Sequence, residues 1–66
     1  MSIYKTIDLE IYRYENIIQN INLFSNYINI QIINLNSNKI KLKFTGENEG
    51  LYCKEFFNYL IVSESR

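Results

Sequence analysis

The chain has 66 residues, seven basic and seven acidic side chains, a 47% hydrophobic composition, and no His, Ala or Pro. A domain this small buries only about 60% of the surface its unfolded chain exposes, so the 12 Ile, 6 Tyr and 4 Phe must pack densely into one core. The zero net charge provides no field to gather polyanions, the lack of His rules out triads and Cys/His zinc sites, and the lone Cys53 excludes an internal disulfide.

Residues Ile3 to Ile11 alternate, with Ile3, Ile7, Leu9 and Ile11 on one face and Tyr4, Thr6, Asp8 and Glu10 on the other, which predicts a half-buried first strand. From Tyr14 to Ser25 the period becomes helical through Ile17, Ile18, Ile21 and Phe24, with Glu15 in the first turn where the helix dipole favours an acid. A second strand is expected from Tyr27 to Leu35. Its alternation slips at Ile33, which indicates a bulge or burial of both faces.

Asn36-Ser37-Asn38 reads as a turn, and Lys39 to Thr45 then alternates strictly, with Ile40, Leu42 and Phe44 inward and Lys39, Lys41 and Lys43 outward. After a loop over 46–50, a last helix carries Cys53, Phe56, Phe57, Leu60 and Ile61 on one stripe and Lys54, Glu55 and Asn58 opposite, before a polar tail over 63–66. No apolar run approaches the roughly 20 residues of a membrane helix, and the N-terminus opens on strand-like alternation instead of a signal peptide. A reducing, cytoplasmic setting is the expectation.

The order β-α-β-β-α over one domain, 1–66, predicts an α+β fold with a three-stranded antiparallel sheet in the order 1-3-2. Both helices then lie on one sheet face, as in a truncated ferredoxin-like unit. Asp8 or Glu10 should lie across from Lys41 or Lys43, since opposite charges on neighbouring strands contribute about 0.2 to 1 kcal/mol each.

Side-chain catalysis has little to draw on without His, and Cys53 shares a stripe with Phe56 and Phe57 as a core thiol, so the chain is read as non-enzymatic and without cofactor. Glu47 and Glu49 beside Asn48 lack the further acids of a calcium loop, so no metal is expected. Strands one and two are the sheet's edges. The segment from Tyr27 to Leu35 carries no charge and no Pro and so invites strand addition by a peptide or a second copy. Tyr4, Tyr12, Tyr14, Tyr27, Asn29, Gln31 and Ile33 are the expected partner-binding residues, Tyr offering a large apolar body with a hydrogen-bonding tip. The alternative is a small dimeric DNA-associated regulator, antitoxin-like, using Lys39, Lys41 and Lys43. The zero net charge disfavours a nucleic acid.

The run Leu9-Glu10-Ile11-Tyr12-Arg13-Tyr14-Glu15-Asn16-Ile17-Ile18, with Phe24, Ile40-Lys41-Leu42 and Glu55-Phe56-Phe57-Asn58-Tyr59-Leu60, resembles HxsD-like proteins, the small accessory proteins of His-Xaa-Ser peptide-modification clusters. Tyr12 matches the Tyr opening the first helix and Asn58 an Asn in the last one. Asn20, Ile21 and Asn22 depart from the small and aromatic residues of that pattern, and the last helix is shorter than usual there. The resemblance implies an accessory binding role beside a radical-chemistry enzyme that modifies ribosomal peptides.

Overall fold

The computed structural model describes residues 2–64, in which β1 (Ser2–Asp8), α1 (Tyr14–Phe24), β2 (Asn29–Leu35), β3 (Lys39–Thr45) and α2 (Glu49–Glu64) follow in chain order. The sheet is antiparallel with β3 in the centre, in the order β1-β3-β2. Strict alternation in β3 buries Ile40, Leu42 and Phe44 completely and turns Lys39 and Lys41 to solvent. Ile17 and Phe24 of α1 and Cys53, Phe56 and Leu60 of α2 close over that apolar face together with Ile7 and Ile28. This is the expected three-stranded α+β arrangement with two helices.

The core is aromatic at its centre. Phe56 meets Phe44, Phe24 and Phe57 edge to face with ring centroids 5.3, 5.8 and 5.6 Å apart, an orientation that sets the positive ring edge against a negative ring face. Phe56 therefore joins both helices to the sheet. Asn20 is the buried polar side chain among the described residues, and its Nδ2 donates to the Asn16 carbonyl one turn back at 2.8 Å.

Several boundaries differ from the sequence expectation, each for a local reason. β1 stops at Asp8 because that residue turns the chain: its carboxylate accepts from the Glu10 amide at 2.9 Å, and its carbonyl accepts from the amides of Ile11 and Tyr12 at 3.1 Å. Ile11 is consequently thrown outward and is 66% exposed, and Glu10 never reaches the sheet. The register sets Asp8 across from Lys39, with Thr6 across from Lys41 and Tyr4 across from Lys43. The order of the strands agrees with the charge argument, but the facing pair does not. Among the described residues no ion pair within 4.0 Å joins β1 to β3.

The register of β2 shifts between Ile32 and Asn34, leaving Ile33 as the extra residue of a bulge. β2 itself begins at Asn29, because the amides of Tyr27 and Ile28 still bond back to the Phe24 carbonyl as a continuation of α1. In the following turn the Asn36 carboxamide oxygen accepts from the amides of Asn38 and Lys39 at 2.9 and 2.8 Å.

α2 extends to Glu64, so Ser63 and Glu64 belong to the helix instead of a tail, while Ser65 and Arg66 lie outside the described residues. Ile61 of the expected stripe is exposed. Glu64 has a defined task. Arg13 precedes α1 without a side-chain cap, and Glu64 reaches across from the end of α2 to accept from the Arg13 amide and from Asn16 Nδ2, both at 2.7 Å. A carboxylate here also meets the positive end of the α1 dipole. The two hydrogen bonds, with a lesser contribution from the Arg13 guanidinium at 3.9 Å, hold its pKa below the ordinary carboxylate range.

Two measurements follow. Phe56→Ala removes the ring that joins three elements and costs about 3–5 kcal/mol, comparable with the roughly 3–10 kcal/mol total of a domain this size. Its urea transition, followed by circular dichroism, should move to very low denaturant or vanish. Because the Glu64 pKa is lower folded than unfolded (about 4.3), its stabilisation is complete above that value and lost as pH falls through the folded one. Glu64→Gln should melt below wild type near neutral pH and converge with it as pH falls below the ordinary carboxylate range; a constant gap from neutral to acid pH would show that the carboxylate charge contributes nothing.

Candidate functional site

The edge strand β2 pairs with β3 on one side and is open on the other, and every one of its residues except Ile30 is exposed. Asn29, Gln31 and Asn34 stand opposite Thr45, Lys43 and Lys41 on the outer sheet face. Ile32 and Leu35 stand opposite Leu42 and Ile40 on the helix-facing side, yet they are 41% and 49% exposed. Ile33 projects at the bulge and is 44% exposed. An uncharged edge with this much bare Ile and Leu surface is unusual for a strand left unpaired. The bulge bends it, which confines the regular stretch to 29–32.

The structure does not gather the four sequence-selected tyrosines into one patch. Tyr4 lies on the outer sheet face, where Lys41 Nζ sits 5.5 Å from its ring centroid. Tyr12 is half-buried against the core in the β1–α1 turn, and Tyr14 opens α1. Tyr27 follows the opposite end of that helix, so it cannot share a contact surface with Tyr14. Tyr4, Asn29 and Gln31 share the outer face with Lys39, Lys41 and Lys43, which form its central ridge. Across from Lys41 and Lys43 stand Thr6, Tyr4, Asn34 and Gln31, all neutral; Asp8 faces only Lys39.

A second locality brings Tyr27 together with residues that were not among the expected partner-binding set. Between the end of α1 and the α2 residues 52–59 an open cleft of about 490 Å³ is lined by Leu23, Phe24, Asn26, Tyr27, Tyr52, Glu55 and Tyr59. Tyr27 stacks on Tyr52 with centroids 5.9 Å apart and planes 20° from parallel, and Tyr59 meets Phe24 edge to face at 5.6 Å. Residues 52, 55 and 59 recur at helical spacing, so α2 presents a second stripe beside its core stripe. That period was the available signal. The side of the cleft formed by α1 depends on tertiary packing and leaves none.

Cys53 is buried on the core stripe, and burial pushes its thiol pKa up, only partly offset by the positive charge of Lys5 on β1. A protonated, enclosed thiol is a poor nucleophile. No cluster of three or more His, Cys, Asp or Glu side chains suited to a metal ion occurs among the described residues, and no helix there is long and apolar enough to cross a membrane.

Comparison with family models, curated proteins and solved structures gives no match for this chain. The residues themselves therefore carry the functional reading.

Cys53 provides a direct check on the packing. A thiol reagent at neutral pH should label it slowly in the folded protein and rapidly in denaturant; equal rates would show that the α2–sheet interface is open.

Proposed function

We propose that this chain is a non-enzymatic accessory module that binds an extended segment of a partner protein or peptide along the open edge of β2. The observation that carries this reading is the edge itself: seven residues without charge or Pro, bare along one side, with Ile32, Ile33 and Leu35 exposed beside it. An added strand takes up the free amides and carbonyls while covering the neighbouring apolar side chains. The absence of His and the shielded, protonated Cys53 favour binding over chemistry. The resemblance to HxsD-like proteins supports a partner among peptide-modifying enzymes or their substrate peptides, in the cytoplasm. A second copy of the chain competes for the same edge, and a homodimer joined there is a variant of this mode.

One observation favours a second reading, that of a nucleic-acid-associated protein using Lys39, Lys41 and Lys43. Lys41 and Lys43 have neutral neighbours, and Tyr4 beside Lys41 offers a ring for a base to stack on. Binding of this kind falls with salt. Three phosphate contacts on a single strand give a slope of about −2 in log K against log salt.

The two readings separate in one set of measurements. Lysine at position 31 would face Lys43 within the sheet, so acid is the better charge: Asn29→Glu with Gln31→Glu loads the edge with charge and sets the new carboxylates opposite Thr45 and Lys43. Hydrogen exchange should show the outward amides of β2 becoming protected as protein concentration rises or a peptide partner is added. The double variant should lose that protection at unchanged circular dichroism. Retained protection overturns edge pairing, whereas binding of a labelled oligonucleotide with the slope above, lost in Lys41→Glu, supports the second reading.

A further inference from the structure

The cleft between α1 and α2 combines features that a core margin does not require. Tyr27 is 64% exposed although its ring is ordered against Tyr52, and Leu23 and Tyr59 are more than half exposed on the other side. Glu55 lines the same cleft, and among the described residues its carboxylate has no cation within 4.0 Å and no hydrogen-bond donor. Aromatic faces carry negative charge density above the ring, and an unpaired carboxylate beside them adds a full charge. Such a site selects for a cation.

We propose that this cleft binds a guanidinium group, presented by an arginine side chain of a partner protein. Three features choose guanidinium over other cations. The Tyr27 and Tyr52 rings stack at 5.9 Å, 20° from parallel, which leaves no slot between them, and the exposed Tyr27 ring offers a flat face on which a planar guanidinium stacks. A single carboxylate matches the forked donors of guanidinium in a bidentate pair, whereas an ammonium engages it as a point charge. The cleft is also open, so it lacks the enclosing ring of aromatics that quaternary ammonium groups select. Its volume, about 490 Å³, accommodates the head group together with the aliphatic stem, which covers Leu23. This site lies apart from the β2 edge and does not depend on strand addition.

The test uses the whole chain, labelled with nitrogen-15, titrated with N-acetyl-arginine methylamide and with its lysine and citrulline counterparts. Citrulline keeps the shape of arginine without its charge. Saturable shifts centred on Tyr27, Tyr52, Glu55 and Tyr59 are expected with arginine, with lysine several-fold weaker and citrulline at least about tenfold weaker, since charge-assisted bonds are the strong ones. Glu55→Gln, a change on a side chain that bonds to no other group among the described residues, should weaken arginine about tenfold and leave citrulline unchanged. Tyr27→Leu, at an exposed position, should weaken both. Equal binding of arginine and citrulline, an unaltered arginine affinity in Glu55→Gln, or shifts confined to the sheet would each overturn the proposal.

Discussion

Strand β3 is paired along both edges and has Ile40, Leu42 and Phe44 sealed from solvent on one side, so every other element takes its position from it. Its two faces differ absolutely: three apolar side chains point to the helices, and three lysines point away. With a single three-residue stripe at the centre of the sheet, a domain of this size cannot cover its margins. Both neighbours of β3 are edges, and the far end of β2 is left exposed. The exposed Ile32, Ile33 and Leu35 follow directly from a core built on one central strand.

The lysine ridge follows from the same constraint. Residues on the outer face of β3 have no layer to pack against, and long cationic side chains keep that face in water and keep it from pairing with another sheet. Asp8 faces one of them but spends its carboxylate on the Glu10 amide, so the ridge is not neutralised strand by strand. Charge balance in this chain is global. Apart from Asp8 at the end of β1, the acids lie in the turns and on the helices, where Glu64 closes the gap between the end of α2 and the start of α1. A side chain distant in sequence thereby supplies the cap that Arg13 lacks.

How far the sequence foretold this arrangement depended on whether a feature was periodic or contingent. β3 and the body of α1 were legible to within a residue because alternation and helical spacing record burial directly. The slip at Ile33 was legible as an irregularity, and it is a bulge. The end of β1 was not legible, because alternation continued through Leu9 and Ile11 while Asp8 imposed a turn through its own hydrogen bonds. The role of Glu64 was hidden in the same way, since a polar residue near a terminus reads as tail until its partner 51 positions away is known. Among the candidate binding residues, period two identified Asn29, Gln31 and Ile33 as an uncharged edge. The tyrosines could be counted but not grouped, because their positions are set by chain reversals.

The cleft and the edge are joined by the chain itself, since Tyr27 stands two residues before β2 begins. Gly46, with φ of 145°, occupies a conformation that side chains rarely adopt, and a side chain there would approach Ile28 at 3.7 Å, so the end of β3 is held close to that same junction. The Phe24 carbonyl, which accepts the amides of Tyr27 and Ile28, fixes it from the other side. The segment from Phe24 to Ile28 is therefore anchored at a buried residue on each side, while Tyr27 between them faces outward. These backbone bonds and buried side chains tie the junction between α1 and β2 to the core. That tie sets an aromatic surface beside an open strand, so a ligand of the kind proposed for either surface would meet preorganised groups and lose less freedom on binding.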